Sequence, residues 1–495
     1  MKNVPVLATG SAPAASGKPK ESRRWLKPRV PKEQLFRLAP APRPRTRLGA
    51  FGLPDRIRDV IRAWWAWLIA ALVLEMLGWR LTGWIAGAMT FVLYHSSTDS
   101  HPAVYALEPD FDTASDEFRS TIAGATGMPL VPGNRVEIYN NGDEFYPAML
   151  DAIESARLSI TMEQYIFWDG QVGRRFAEAF AEKAREGIPV KLLVDAIGSA
   201  TLGHEIFQIL AAGGCQLAWF RPIHWYTLHR ANQRDHRKSL IVDGAVAFTG
   251  GAGLGDHWLG SAENETEWRD IQVRVEGPAV AAQQAGFAQN WLLTTGEIIG
   301  GHEYFVDAPA AGSVPIQTIL SSPSSGAGAA GTMYLIAIQC ARRYLYIANP
   351  YFIPDPRVID MLARACRRGV NVKLMLAGRH NDTWWARQNS VRLYGALLDA
   401  GVELYEYQPS MLHQKTMIVD GAWATIGTTN FDNRSFALSE ETNVCFHEAA
   451  LVEQLRQIFS ADLARCERVE LATWKKRGLY QQSKEILASL IENQV

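Results

Sequence analysis

The stretch HRKSLIVDGAVAFTGG at residues 236–251 is closely matched by HQKTMIVDGAWATIGTTN at residues 413–430. In both stretches a His is followed two residues later by a Lys, and an Asp-Gly pair divides two apolar runs. This pattern predicts a β-hairpin in each stretch, because Asp-Gly favours the tight turn that joins antiparallel strands. Side chains two residues apart on a strand share a face, so each His and its Lys should point the same way.

The duplication extends beyond the two hairpins. Three further pairs of segments match in the same order, and equivalent positions lie between 177 and 187 residues apart. The pairs are AIESARLSITMEQYIF (152–167) with AIQCARRYLYIANPYF (337–352), REGIPVKLLVD (185–195) with RRGVNVKLMLA (367–377), and LAAGGCQLAWF (210–220) with LLDAGVELYEY (397–407). Each copy alternates helical stretches with short Val/Ile/Leu-rich strands. We therefore predict an α/β fold of two αβα repeats, each a mixed sheet flanked by helices, related by a pseudo-dyad.

The two His-x-Lys pairs suit a reaction at a phosphate diester. A Lys ammonium neutralises phosphate charge, and a His either attacks phosphorus or transfers a proton. If the repeats pack about a pseudo-dyad, His236 and Lys238 meet His413 and Lys415 in one site, where one His is the nucleophile and the other is the acid. A single His-x-Lys is usually a solvated strand edge, and only its repetition favours catalysis.

Five further polar residues are candidates for the same site. Asp243 and Asp420 belong to the catalytic motifs, but an Asp-Gly turn favours Asp for backbone reasons, so we favour a structural role, with support of the Lys as the alternative. Asp270 and Glu441 follow the hairpins. Each is either a carboxylate that fixes the tautomer of a catalytic His or a solvent-facing acid. Asn430 either hydrogen-bonds the site or caps a turn.

The composition argues against several other classes of site. The chain of 495 residues has a net charge of −1, so no global field favours nucleic acid. Its five cysteines are scattered and lack paired spacing, which argues against a disulfide framework or a zinc site. The sequence contains no Gly-rich phosphate loop, serine elbow or metal-ligand cluster, so we expect neither a metal nor a cofactor.

The chain divides into five predicted segments. In order they are a disordered, basic, Pro/Ala-rich tail (1–62), an apolar helical segment (63–95), the first repeat (130–300), the second repeat (315–475) and a C-terminal helix (476–495). The stretch 301–331, rich in Gly and Ser, is interpreted as a linker followed by a loop.

The apolar run at residues 64–94, WWAWLIAALVLEMLGWRLTGWIAGAMTFVLY, is interrupted by Glu75 and Arg80. A membrane span needs about 20 apolar residues. Two short membrane-inserted helices joined by a polar turn fit this pattern, and so does one tilted span with Glu75 near Arg80. The alternative is a buried helical hairpin of a soluble protein. The tryptophans and the basic flank before the run favour membrane attachment.

The twin motifs resemble the HKD signature of the phospholipase D superfamily. Other strings resemble bacterial cardiolipin synthases, and together they cover roughly residues 130–475. These strings are GNRVEIYNNGDEFYPAMLDAIESARLSITMEQYIF, ANQRDHRKSLIVDG, EWRDIQVRVEGPAV, NPYFIPD and FDNRSF. The resemblance implies two lobes with one site between them and a metal-independent reaction through a phosphohistidine, in which His236 is the nucleophile and His413 the acid.

Two features of the first repeat qualify this resemblance. The second motif ends near the family's Gly-Ser-x-Asn pattern, but the first has Gly253 where the family usually has Asn, so we expect the first half-site to lack a hydrogen bond. The loop before His236 carries aromatic and basic residues, which suit a lipid–water interface, with a plain surface loop as the alternative. These residues are Arg221, Trp225, Tyr226, Arg230 and Arg234.

The function implied by the resemblance is that of a phosphatidyltransferase, making cardiolipin from phosphatidylglycerol or a related phospholipid. The expected location is a bacterial inner membrane, with attachment through the N-terminal apolar segment. The expected partners are phospholipid substrates and the membrane surface, with no nucleic acid and no obligate protein partner. The alternatives are a phospholipase D that releases phosphatidic acid, an HKD-type nuclease, and a membrane-bound scaffold with a dead site, against which the intact motifs argue.

Overall fold

The computed structural model describes residues 64–96, 109–223, 231–323 and 328–489, so the predicted tail at 1–62 lies outside the described residues. The helices are α1 (Trp64–Met76), α2 (Arg80–Ser96), α3 (Asp116–Thr126), α4 (Asn141–Glu154), α5 (Gln171–Arg185), α6 (His204–Gly213), α7 (Val280–Thr295), α8 (Ala329–Cys340), α9 (Pro356–Arg367), α10 (Trp384–Asp399), α11 (Asn433–Ala437), α12 (Ala449–Leu463), α13 (Leu471–Lys475) and α14 (Leu479–Ser489). A short 3₁₀ helix covers Asp256–Trp258.

The strands alternate with these helices, and this confirms the predicted α/β class. They are β1 (Val131–Asn140), β2 (Ile160–Gln164), β3 (Val190–Asp195), β4 (Gln216–Phe220), β5 (Arg234–Asp235), β6 (Lys238–Val242), β7 (Val246–Gly250), β8 (Ile271–Glu276), β9 (Val314–Ser321), β10 (Tyr344–Asn349), β11 (Phe352–Ile353), β12 (Asn371–Ala377), β13 (Glu403–Tyr407), β14 (Thr416–Val419), β15 (Trp423–Gly427), β16 (Phe431–Asp432), β17 (Ser439–Phe446) and β18 (Cys466–Arg468).

One large mixed sheet contains most of the strands, in the order β18-β13-β12-β10-β14-β15-β17-β9-β1-β8-β7-β6-β2-β3-β4. Outward from the junction of β9 with β1, equivalent strands of the two repeats follow in the same order. In both repeats the outer strands pair in parallel, as β2 does with β3 and β10 does with β12. A two-fold axis through the β1–β9 junction would generate this order.

The strand β9 lies inside the stretch interpreted as a linker and a loop, so that interpretation is wrong for residues 314–321. This strand pairs with both β1 and β17 at the centre of the sheet. Its short apolar core is flanked by Pro, Gly and Ser, and no local pattern indicates the two partners that make it a strand.

Both predicted hairpins are present. In the first, β6 and β7 pair antiparallel with Val242 opposite Val246. In the second, β14 and β15 pair antiparallel with Val419 opposite Trp423. All residues of β6 and β14 are buried, which explains why these strands are continuous apolar runs rather than alternating ones.

The helices cover the sheet through apolar stripes. In α5, for example, Val172, Phe176 and Phe180 recur at helical spacing and are all buried. Helix α9 begins where the Asp355 carboxylate accepts two backbone N–H bonds and Pro356 occupies the first turn. In the structure the expected C-terminal helix at 476–495 is α14, which begins after Gly478.

The two motif aspartates lie in the hairpin turns and bind backbone amides. Both have left-handed backbone conformations, with φ of 54° at Asp243 and 56° at Asp420. The Asp243 carboxylate accepts hydrogen bonds from the amides of residues 157–159. The Asp420 carboxylate accepts equivalent bonds from the amides of residues 342–344. Each aspartate therefore joins its hairpin to the start of the neighbouring strand.

The apolar N-terminal segment forms two helices, α1 and α2, joined by a turn at Leu77–Trp79. The single tilted span is therefore wrong. Within the described residues, no helix is both long enough and apolar enough to cross a membrane. Large apolar side chains of both helices are exposed, including Leu72 at 58% and Trp84 at 74%, which does not fit the buried hairpin of a soluble protein.

We predict that Asp420→Ala lowers the free energy of unfolding by about 3 kcal/mol, because it leaves three amide donors without their charged acceptor. Asp420→Asn should cost less, since Asn keeps an acceptor oxygen and tolerates positive φ. Urea unfolding monitored by circular dichroism measures both values. An Asp420→Ala protein as stable as the wild type would contradict the structural role.

Candidate active site

Each candidate histidine is held in place by the backbone of the other repeat. His236 directly follows β5, where Arg234 and Asp235 pair in parallel with Ser439 and Glu440 of β17. The amide of His236 then donates to the carbonyl of Glu440 at 3.0 Å. The first motif is thus tied to the second repeat at the position of its histidine.

The second half-site repeats this arrangement with the roles of the repeats exchanged. Arg269 and Leu412 form a parallel bridge, and the amide of His413 donates to the carbonyl of Arg269 at 2.8 Å. The two histidines therefore lie where the backbones of the two repeats meet.

The imidazole rings also take their carboxylate partners from the opposite repeat. Nδ1 of His236 lies 3.0 Å from Glu441, and Nδ1 of His413 lies 2.8 Å from Asp270. Both carboxylates are completely buried, so neither is a solvent-facing acid. A carboxylate at Nδ1 fixes the tautomer and the ring orientation, and leaves Nε2 for chemistry.

The two lysines lie beside their histidines. Nζ of Lys238 donates to the carbonyl of His236 at 2.9 Å, and Nζ of Lys415 lies 3.0 Å from Nε2 of His413. Both lysines are 1% exposed. Within the described residues the Lys238 ammonium has one hydrogen bond, which leaves donors for a phosphate, whereas the contacts of the Lys415 ammonium are all to His413.

Burial controls the ionisation of all four side chains. It lowers the pKa of His413 to about 4, with the charge of Lys415 acting in the same direction. Burial and the charges of Lys238 and Lys415 hold the pKa of His236 well below its usual value. Burial also lowers the pKa of Lys238 to about 8 and that of Lys415 to about 7. An anion bound beside these side chains would therefore stabilise their charged forms.

The two carboxylates differ in charge state. Burial raises the pKa of Glu441 to about 7. Burial also acts to raise the pKa of Asp270, but the hydrogen bond from His413 and the charge of Lys415 overcome it, and the net effect is a lowered pKa. At neutral pH Asp270 is therefore ionised, whereas Glu441 is close to its midpoint.

The segments after the hairpins hold these carboxylates in different ways. The hydroxyl of Thr428 donates to Glu441. Gly251 occupies the equivalent place in the first motif, where an added Cβ would lie 2.2 Å from the Asp270 carboxylate. There the donor is the indole of Trp258, at 2.9 Å from Asp270.

The residue pair Gly253 and Asn430 is another difference between the half-sites. A Cβ at Gly253 would lie 2.8 Å from Cβ of Ile166, so this position has no space for the usual Asn. Asn430 is 7% exposed, and within the described residues its Oδ1 has no hydrogen-bond partner. Its side-chain oxygen therefore caps no turn within the part of the chain that the structure describes.

Aromatic rings line both histidines, and sequence reasoning missed them. The ring of Tyr165 lies 5.0 Å from that of His236, and Nζ of Lys238 lies 5.5 Å from the Tyr165 ring. Trp258 and Trp268 each lie 5.4 Å from His413. Their positions in the sequence, after the first motif, gave no sign of a contact with the second one.

The residues next to His236 and Glu441 in the sequence, Arg237 and Glu440, form a buried ion pair. Arg237 lies between His236 and Lys238, and its guanidinium binds the Glu440 carboxylate at 3.0 Å. It also donates to the carbonyls of Glu441 and Gly286. One side chain thus ties the first motif to β17 on the face opposite the histidine.

The carboxylates of Asp243 and Asp420, which belong to the two catalytic motifs, bind backbone amides at the turns, and this supports the structural role that we favour for both. Two other sequence predictions need correction or lie outside the described residues. Arg234 was placed in an interfacial loop, but it is buried, 3.6 Å from Asp195. Residues 224–230 of that loop, which include Trp225, Tyr226 and Arg230, lie outside the described residues.

Comparisons with known proteins identify the class of protein to which this chain belongs. The model of the family "Cardiolipin synthase, PLD-like domain" matches residues 149–291 and 334–463, one match in each repeat. The phosphatidylserine synthase of Haemophilus influenzae Rd KW20 has a similar fold, with a TM-score of 0.60 at 12% identity, covering 77% of this chain and all of that chain.

The relatives define the family more narrowly. A cardiolipin synthase of Clostridium perfringens is 33% identical over 367 residues, which cover 72% of this chain and 76% of the relative. Another, of Oceanobacillus iheyensis, is 34% identical over 360 residues, covering 72% and 74%. The chain therefore belongs to the cardiolipin synthase family of phospholipase D-like proteins, and the resemblance seen in the sequence is confirmed.

We predict that the slope of log(kcat/KM) against pH becomes more negative by about one unit above about pH 7 and by about another above about pH 8, because the ammonium form of Lys415 is lost as the pH rises through its pKa of about 7 and that of Lys238 through its pKa of about 8. Lys415→Arg, which stays charged, should move this fall to higher pH in whatever activity remains. Initial rates between pH 5 and pH 10 provide the measurement. A flat profile up to pH 10 would rule out a required ammonium of lowered pKa.

Proposed function

We propose that this enzyme is a phosphatidyltransferase that makes cardiolipin from two molecules of phosphatidylglycerol. The observation that carries the proposal is the pair of His–carboxylate contacts exchanged between the repeats, with a lysine ammonium beside each histidine. Membership of the cardiolipin synthase family supports the lipid substrate.

In the first step, Nε2 of His236 attacks the phosphorus of one phosphatidylglycerol. The bond from phosphorus to the headgroup oxygen breaks, and His413 donates a proton to the departing glycerol. Lys238 and Lys415 neutralise the charge on the phosphoryl oxygens. In the second step, a hydroxyl of another lipid attacks the phosphohistidine, its proton passes to His413, and the phosphorus–nitrogen bond breaks.

The electrostatic difference between the half-sites supports this order of roles. A general acid must carry a proton, so His413, whose pKa is about 4, has to gain one when the phosphate anion binds beside it. An ionised carboxylate stabilises the imidazolium that forms. Asp270, whose pKa is lowered, provides this for His413. Glu441, whose pKa is about 7, provides it less well for His236. His236 is also the more accessible ring, with 13% of its side chain exposed against 6% for His413.

We also propose that α1 and α2 attach the enzyme to the inner membrane. The two helices are too short to span a bilayer separately, but they expose a large apolar surface. A hairpin inserted into one leaflet would bury this surface in lipid. Residues 1–50 contain twelve Lys or Arg and two Glu, a balance that favours anionic headgroups.

The expected products on phosphatidylglycerol vesicles are cardiolipin and free glycerol. His236→Ala and His413→Ala should each reduce this turnover by at least about a thousandfold, since each removes one of two required groups. Activity should survive a chelator. Thin-layer separation of labelled lipids identifies the products, and circular dichroism controls for folding. Phosphatidic acid as the main product would make the enzyme a phospholipase instead.

The attachment is tested in the full chain with the double variant Leu72→Glu and Trp84→Glu. We expect the bound fraction in flotation with anionic vesicles to fall about tenfold, because carboxylates are costly to bury in lipid. Leu293→Glu, which changes another exposed leucine in the second half of α7, is the matched control and should float like the wild type. Equal flotation of all three proteins would contradict the role of the hairpin.

A further inference from the structure

The two half-sites must treat their lipids differently, because one lipid donates the phosphatidyl group and the other accepts it. The strands that hold the second half-site bring an additional carboxylate to it. Asp382 follows β12, and Tyr351 follows β10, which is the parallel neighbour of β12. The carboxyl ends of adjacent parallel strands lie at the same edge of a sheet.

The second motif starts at that same edge. Strand β14 runs antiparallel to β10, with Thr416 opposite Ala348, so His413 and Lys415 lie beside the end of β10. The charge of Asp382 reaches Lys415, whose pKa it raises against the larger lowering effect of burial. Tyr351 in turn is close enough to interact electrostatically with Tyr165, the ring beside His236.

Asp382 is held by one hydrogen bond, which it accepts from the hydroxyl of Tyr351. Within the described residues it forms no ion pair with Lys, Arg or His. A carboxylate accepts about four hydrogen bonds, so most of the capacity of Asp382 remains open. A negative charge near the phosphate site repels phosphate, and its natural ligands are groups that donate hydrogen bonds.

The first repeat shows that the fold does not require this carboxylate. Aligning β3 with β12 through Lys191 and Lys373 places Ala200 opposite Asp382. The first half-site has a different carboxylate near its lysine, Asp195 at the end of β3. Asp195 is buried and accepts three backbone hydrogen bonds, whereas Asp382 is exposed, so the two carboxylates differ in their free hydrogen-bonding capacity.

Two tryptophans next to Asp382 indicate that the hydroxyl-bearing ligand is a lipid. Trp384 and Trp385 begin α10, and they are 40% and 39% exposed. Tryptophan side chains favour the boundary between acyl chains and headgroups. A lipid whose chains contact this pair would bring its headgroup to Asp382.

We propose that Asp382, oriented by Tyr351, is the acceptor-binding residue: its carboxylate accepts hydrogen bonds from a polyol headgroup of the second lipid and directs one hydroxyl toward the phosphohistidine. The class of acceptor is a phospholipid with vicinal hydroxyls, such as a glycerol headgroup. A diol binds a carboxylate through two hydrogen bonds and is oriented by them, whereas water is not, so the residue favours transfer over hydrolysis. This inference rests on the proposed transferase function.

The test is the ratio of cardiolipin to phosphatidic acid formed on phosphatidylglycerol vesicles by the full-length protein. Asp382→Asn should lower this ratio about tenfold, the effect of losing one charge-assisted hydrogen bond. Tyr351→Phe should lower it by a smaller factor, because the carboxylate remains but is less well oriented. Asp360→Asn, which changes a partly exposed Asp of α9, is the control and should leave the ratio unchanged.

A second arm uses ethanol, an acceptor with a single hydroxyl. The ratio of phosphatidylethanol to phosphatidic acid should be the same in the wild type and in Asp382→Asn, since ethanol cannot bind the carboxylate as a diol does. An equal loss of both transfer ratios, or an unchanged cardiolipin ratio in Asp382→Asn, would overturn the assignment. A wild-type enzyme that forms only phosphatidic acid would instead overturn the proposed function.

Discussion

The exchange of carboxylates between the repeats is the interaction on which the rest of the site depends. His236 pairs with Glu441 and His413 pairs with Asp270, so neither repeat contains a complete half-site. The exchange requires the two repeats to share one sheet and to meet edge to edge near the histidines. The palindromic strand order and the short parallel pairing of β5 with β17 satisfy this requirement.

Strand β17 connects the scaffold to the chemistry. All eight of its residues are buried, and it pairs with β9, β15 and β5. Adjacent residues of this strand point to opposite faces of the sheet. Glu440 binds Arg237 on one face, and Glu441 binds His236 on the other. Removing Glu440 would leave the buried guanidinium of Arg237 without this carboxylate, which is strongly destabilising. The strand thus holds the first motif by an ion pair to Arg237 and a hydrogen bond to His236.

Within this nearly symmetric frame, small differences give the half-sites different properties. Thr428 supports Glu441 through a hydroxyl, whereas Gly251 allows Asp270 to approach closely and Trp258 supplies the donor. The carboxylates also differ in pKa, because burial raises that of Glu441 to about 7, whereas the hydrogen bond from His413 and the charge of Lys415 lower that of Asp270. A duplicated scaffold therefore provides two histidines in similar places with different electrostatic partners.

The sequence by itself determined the features that depend on short-range geometry. Asp-Gly turns between apolar runs fixed both hairpins, and the two-residue period of a strand put each His beside its Lys. The matched segments established the duplication, and the motifs indicated the family. The positions of Asp270 and Glu441 marked them as candidate carboxylates, but not which histidine each one contacts.

Only the tertiary structure decided the contacts between distant residues. Glu441 lies 205 residues from His236, and no local pattern encodes that pairing. Strand β9 was missed for the same reason, since its identity as a strand comes from its partners rather than from its composition. The charge states were also beyond the sequence, because burial, which packing alone determines, is the largest influence on the pKa of both histidines and both lysines.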